Sequence, residues 1–294
     1  MSRPEFFVYL PQMRMGIEDI TARAVAEEEA GFAGIAFMDH LAPPLSEASP
    51  MFEAMTIATW VAARTTTLKV SHLVLCDALR HPAVLARQAV TLDHASGGRF
   101  ELALGWGSVA GELVAYGVTG GGPAERVGRL RESLEVITSL WSGEPVQYRG
   151  DYFEVACLGQ QPTPISSIPI VIGGAGRRTL ELVRRHADWW NVPIYALDRL
   201  AELRSHAGKA RVSTQHLVGW VPATARRDEV ETLARRRYGG MTSGPIIGDA
   251  GALVAHFRRF QALGVERFYV WFTDFAPPAS LESFGEEVID QIAR

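Results

Sequence analysis

The chain is expected to fold as an α/β barrel, and three observations lead there. A joint recurs in which an amphipathic helix ends at or near glycine and a hydrophobic strand follows, as in AEEEAGFAGIAFM, TLDHASGGRFELAL and FRRFQALGVERFYVWF. Glycine at a helix C-terminus takes the left-handed conformation without steric cost. The strands that follow are short, continuous and apolar, as strands covered on both faces are. Finally, 294 residues is an ordinary length for one such barrel. Alternating βα units favour a TIM-type (β/α)8 barrel, with a doubly wound parallel sheet as the competing arrangement.

The spacing predicts strands over 5–10, 34–38, 68–75, 99–104, 168–173, 188–193, 214–221 and 267–272. Helices fit between them. Pro82 suits a first helical position, and Leu85, Ala89 and Leu92 then share one face. Asp249 can cap a helix whose Leu253, Phe257 and Phe260 line one side, ended by Gly264. The segment from Gly143 to Ser167, rich in proline and glycine, is too long for a routine connection and reads as an insertion or lid before the fifth strand. No linker separates two domains, so residues 1–294 are read as one barrel domain.

Composition narrows the function classes. Hydrophobic residues make up 47% and charged residues 21%, as in ordinary globular proteins rather than disordered or fibrous ones. A formal charge of −4 exerts no broad pull on nucleic acid or anionic lipid. No apolar run approaches the roughly 18–20 residues that span a bilayer, and MSRPEFFVYLP lacks the regions of a signal peptide, so a cytoplasmic location is expected. Cys76 and Cys157 are too few for a disulfide framework and lack zinc-site spacing, so two free thiols and no metal are expected.

In a barrel, chemistry belongs at the C-terminal ends of strands. IPIVIGGAGRR carries a strand into Gly173-Gly174-Ala175-Gly176 and a helix, presenting free backbone N–H groups to which a phosphate can bind. Such a turn also occurs with no ligand. Asp39-His40 follows GIAFM directly: a histidine there can exchange a proton near neutral pH, with an adjacent carboxylate to hold or polarise a ligand, or it is simply a satisfied polar group. Gly105 and Gly107 around Trp106 let a flat ligand lie against the backbone, while Trp106 walls a pocket or fills the core. His72 reads as structural and His81, before Pro82, as a cap. Trp189-Trp190 alternate between barrel interior and helix layer. Arg235-Arg236-Arg237 and Glu27-Glu28-Glu29 read as solvated helix faces.

Four segments together resemble the bacterial luciferase-like monooxygenase superfamily of flavin and deazaflavin oxidoreductases. They are AGFAGIAFMDHL, LRHPAVLARQAVTLDHASGGRFELALGWG with Glu112 and Tyr116 beyond it, PIVIGGAG, and HADWWN. The resemblance implies a TIM barrel carrying the deazaflavin coenzyme F420 or FMN, its phosphate on Gly173, Gly174, Ala175, Gly176 and Arg177. It implies that Asp39, Leu73, Val74, Cys76, Trp106 and Gly107 surround the tricyclic ring, with a non-proline cis peptide near Leu73-Val74. The Asp-His pair resembles the F420 branch more than the FMN monooxygenases. One departure stands out: the sugar-phosphate dehydrogenases of that branch carry a catalytic glutamate directly after the G-x-G element, where this chain has Ser108. Glu112 follows at i+4 from Ser108.

The expected activity is therefore an F420-dependent oxidoreductase moving a hydride between the deazaflavin C5 and a small organic substrate. His40 would exchange the accompanying proton, and Asp39 would orient it. An FMN-dependent monooxygenase using reduced flavin and O2 is the alternative, and a non-catalytic flavin- or deazaflavin-binding protein a third. The resemblance further implies a cofactor-recycling reductase or dehydrogenase as partner and a homodimer, with no nucleic-acid or membrane partner.

Overall fold

Strands apolar on both faces must be covered on both, and a closed ring wrapped in helices does so. The computed structural model describes residues 3–44, 49–107, 109–118, 121–241 and 243–293. In chain order, β1 (Glu5–Leu10), α1 (Ile17–Glu29), β2 (Gly34–Phe37), α2 (Ala54–Ala62), β3 (Lys69–His72), β4 (Leu75–Cys76), α3 (Pro82–Ser96) and β5 (Leu102–Gly105) form the first half. After α4 (Ala110–Ala115) and α5 (Pro123–Trp141) comes a hairpin, β6 (Val146–Arg149) and β7 (Glu154–Cys157). Next come β8 (Ile170–Gly173), α6 (Arg177–His186), β9 (Trp189–Val192), α7 (Leu200–Arg204), β10 (Arg211–Trp220) and α8 (Arg227–Tyr238). Short β11 (Ile246–Gly248), α9 (Ala250–Ala262), β12 (Val265–Phe272) and α10 (Pro278–Phe284) complete the main elements.

The main sheet runs β3-β2-β1-β12-β10-β9-β8-β5-β4, all parallel, with β11 against β10. β3 and β4 are two halves of one barrel strand, split at the cis peptide Leu73-Val74. A parallel bridge between Val70 and Phe100 closes the ring. Each strand expected from the sequence is present, and the doubly wound alternative is set aside because its edges would stay open.

Alternation along the strands sorts side chains into two layers. On β1, Phe6, Val8 and Leu10 pack outward with the helices, while Phe7 and Tyr9 fill the interior with Met38, Tyr269 and Trp271. Trp190 packs outward and Trp189 inward, as expected. At the N-terminal end the interior holds a fully buried guanidinium, Arg267, bonded to Glu101 Oε1 at 2.8 Å and to Glu5 Oε2 at 2.6 Å and stacked 3.8 Å over Trp189. Buried charge persists only when paired and hydrogen-bonded, and here both conditions are met.

The local signals act as expected where they are self-contained. His81 Nδ1 accepts from Ala83 N–H at 3.2 Å, and Asp249 accepts from Ala252 N–H at 2.9 Å, each capping its helix. Cys76 and Cys157 are free. No helix among the described residues is long and apolar enough to cross a membrane.

Two expectations are corrected. Glu27 is not on a solvated face: it is fully buried, and burial pushes its carboxyl well above the usual range. Its neighbour Glu28 accepts backbone N–H groups of Thr66 and Leu68, at 2.8 and 2.9 Å. The stretch 143–167 is not wholly irregular, since it contains the β6-β7 hairpin. Glu132 on α5 accepts the N–H groups of Asp151, Tyr152 and Phe153 in its turn, and Asp93 on α3 holds Ile165 and Ser166. The segment thus binds the outer helices.

One interface carries a pH dependence. His216 on β10 is hydrogen-bonded to His256 on α9 (Nδ1 to Nε2, 3.0 Å) and to Thr214 Oγ1 (2.8 Å). Burial holds the His216 imidazole well below its ordinary value, with His256 and Arg259 adding to it, and holds His256 down to about 4. The unfolded chain, with histidines near about 6.5, then binds more protons than the folded one below that pH. Stability therefore falls as pH drops from about 6.5 toward about 4. Thermal melts across this window should show Tm declining, with a shallower decline in His256→Gln; identical slopes would remove this pair as the cause.

Candidate functional site

The carbonyl end of β2 delivers Met38-Asp39-His40, and the two ionisable neighbours are taken by different partners. Asp39 is buried. Its Oδ2 accepts from Arg80 Nη1 at 2.5 Å and from the Cys76 N–H at 2.6 Å, and its Oδ1 accepts from Arg80 Nη2 at 2.9 Å. Arg80 also reaches Glu53 at 2.7 Å. Asp39 therefore does not orient His40, because its lone pairs are committed to locking β4 and the start of α3 onto β2.

Glu112, on α4, does so instead. Its Oε2 lies 2.8 Å from His40 Nδ1, while Oε1 accepts from the backbone N–H groups of Leu41 (2.5 Å) and Ala42 (3.1 Å). A carboxylate can only accept, so it selects the Nδ1–H tautomer and leaves Nε2 for other chemistry. Tyr116, one turn further on, donates to the Leu41 carbonyl at 3.3 Å. Ser108, where the family resemblance leads to the expectation of a glutamate, lies outside the described residues.

Glycines shape the floor of the site. Val74 follows the cis peptide expected at Leu73-Val74, and a Cβ on Gly105 would fall 2.6 Å from Val74 Cγ2. Gly107 has φ +79°, and a Cβ there would stand 2.6 Å from Cys76 Sγ. Side chains at these places would displace Val74 or Cys76. Cys76 is an inert wall rather than a nucleophile: burial, with Asp39 beside it, pushes its thiol up to about 11.

The glycine turn after β8 faces the same space. Trp190 Nε1 donates to the Gly174 carbonyl at 2.8 Å, fixing the turn to the outer layer. The Gly174 N–H is already used, donating to the Asn191 carbonyl at 3.2 Å. That corrects the expectation that the whole turn offers free amides. The N–H groups of Ala175, Gly176 and Arg177 have no protein acceptor among the described residues, and Gly176 caps α6 without a side chain. Arg177 points outward, 94% exposed, 3.8 Å from Glu181.

These parts meet in one cavity of about 200 Å³ at the carbonyl end of the barrel. Asp39, His40, Leu73, Val74 and Cys76 line it. Trp106, Gly107, Gly173 and Gly174 line it as well. Ala175, Gly176 and Arg177 continue the turn beyond the lining. No residue of 143–167 lines the cavity, so the lid expectation finds no support among the described residues. The volume is below the roughly 300–1,000 Å³ of pockets that enclose drug-sized ligands. It suits a flat head group, with any anionic tail running out over the turn.

Among the lining residues that sequence reasoning missed are Glu112 in its positioning role, Asn191, Pro193, Tyr195 and Gln215. Asn191 carried a signal, being a polar residue at the end of the apolar strand WWN. Gln215 carried no such signal, since it sits among the polar residues Ser213, Thr214 and His216.

Known proteins add a family and a fold. A family model for luciferase-like monooxygenases matches residues 2–292. An F420-dependent glucose-6-phosphate dehydrogenase of Nakamurella multipartita is 32% identical over 176 residues, 60% of this chain and 52% of that protein. An F420-dependent hydroxymycolic acid dehydrogenase of Mycobacterium tuberculosis is 34% identical over 185 residues, 62% of this chain and 51% of that one. The chain thus spans about half the length of these relatives. A solved F420-dependent secondary alcohol dehydrogenase, in complex with an F420-acetone adduct, superimposes with a TM-score of 0.85 over 100% of both chains at 18% identity. That is a likeness of fold.

The Asp39 assignment is testable through stability. Asp39→Ala would leave the Arg80 guanidinium largely buried with Glu53 alone, and removing one partner of a buried pair costs about 3–5 kcal/mol. Urea denaturation should place the variant near the lower end of that range, while His40→Ala changes stability little. Equal stability of Asp39→Ala and wild type would return Asp39 to a purely functional role.

Proposed function

The chain belongs to the luciferase-like monooxygenase family, and from that premise we propose that it is an oxidoreductase that uses the deazaflavin coenzyme F420 on a small organic substrate. The observation that carries the proposal is the single cavity joining His40 to the glycine turn across the Val74 floor. F420 is favoured over FMN because the relatives above are named F420-dependent. The residues present fit such a group. The open amides of Ala175, Gly176 and Arg177 suit its phosphate, since N–H groups at a helix start accept anions readily. Val74, Cys76, Trp106 and Gly107 offer a flat ring its walls.

When bound, the coenzyme supplies a carbon that gives or takes a hydride. The chain supplies position and a proton path. His40 Nε2, aimed by Glu112, holds the proton exchanged with a substrate oxygen. Asp39 keeps the Cys76 N–H and Arg80 in place, so that the Val74 floor does not shift. Residues 1–294 would act as one barrel domain. A carrier used in one direction also needs a second enzyme to reset it, so a recycling reductase or dehydrogenase belongs to the proposal.

The coenzyme is tested by titrating the protein with F420 and with FMN: F420 should bind more tightly, and a preference for FMN rejects it. Loss of a positioned acid or base costs about 10²–10⁴-fold, so His40→Ala should lose at least about a hundredfold in kcat with the coenzyme Kd held within about twofold. An unchanged rate removes the proton role. Glu112→Gln, which accepts through its amide oxygen yet carries no charge, should lower kcat by about tenfold and shift the pH profile.

A further inference from the structure

Beside the His40 cavity, the barrel mouth holds a second cavity of about 320 Å³, between the ends of β1, β2 and β12 and the last turn of α8. Three arginines line it, Arg14, Arg236 and Arg237, and no acidic side chain among the described residues does. Two of the residues in its wall carry a buried donor without an aligned protein acceptor among the described residues, the Tyr238 hydroxyl and the Trp271 indole N–H. Their rings meet edge-on at 5.1 Å, and the indole N–H lies close enough to the phenol oxygen to act on its pKa, but out of hydrogen-bond alignment. An unpaired buried donor is costly, so a site that keeps two needs an acceptor from elsewhere.

The surroundings point the same way. Arg237 is not on a solvated face as its run of arginines suggested. It stacks 4.3 Å over Phe275 and donates to the Thr273 carbonyl at 2.8 Å, which holds its guanidinium at the cavity. Arg14 and Phe275 both have left-handed backbones, at φ 60° and 67°. Non-glycine residues rarely adopt that conformation, and strain of this kind gathers at ligand sites. Burial pushes the Tyr238 phenol up, so it stays a donor at physiological pH. The remaining wall is apolar, with Phe275 and two methionines.

We propose that this second cavity binds a small organic anion, its carboxylate held by Arg236, Arg237, Tyr238 and Trp271 and its apolar body resting on Phe275. The site stands independently of the coenzyme reading. Titration calorimetry on the full chain without coenzyme, using benzoate and its neutral counterpart benzyl alcohol, tests it. Benzoate should bind saturably and benzyl alcohol at least about tenfold more weakly, the worth of one charge-assisted hydrogen bond. Arg236→Gln, on an exposed face, and Tyr238→Phe, which removes only an unpartnered oxygen, should each weaken benzoate by about fivefold or more while leaving Tm unchanged. Absent benzoate binding, equal affinity for the two probes, or affinity unmoved in both variants would overturn the proposal. Repeating the titration with F420 present separates two sources of the anion: a substrate head group titrates more tightly beside the coenzyme, and a separate effector titrates unchanged.

Discussion

The mouth of this barrel depends on the buried carboxylate of Asp39. It ties the end of β2 to Arg80 and to the Cys76 amide, and so fixes where β4 resumes after the Leu73-Val74 break. A charge in that position is tolerated only because its lone pairs are filled by a bidentate guanidinium and a backbone donor. The chain then has a rigid floor. His40, the next residue, turns toward α4, where Glu112 takes Nδ1. Adjacent residues at a strand end thus serve unlike ends, one holding the scaffold and the other presenting a titratable nitrogen.

The two ends of the barrel are built differently. At the N-terminal end Arg267 is sealed by Glu101, Glu5 and three aromatic rings, a satisfied network with no space around it. At the carbonyl end the chain keeps unsatisfied donors, left-handed residues and two adjacent cavities. Such features cost stability and are retained where a ligand can complete them.

Much of the fold was legible because its signals are local. Strand identity follows from short apolar runs, helix starts from Pro82 and Asp249, and the C-terminal end of each strand gives an address for chemistry. The errors share one cause. Asp39 and Arg237 are charged residues whose partners are distant in sequence and Glu27 is buried by packing, and charge alone does not tell a solvated group from a buried one. The β6-β7 hairpin was missed because its stability comes from Glu132 on α5, outside the segment itself.

The sequence by itself determined the order of the eight barrel strands, the glycines that leave room for Val74, and the placing of a histidine and a glycine turn at strand ends. Those depend on residue type and short spacing. Only the tertiary structure decided that Glu112 rather than Asp39 faces His40, that Gly174 spends its amide on Asn191, and that Tyr238 and Trp271 share a basic cavity. Each of those depends on which lone pair meets which proton across the closed ring, and no pattern along the chain encodes such a meeting.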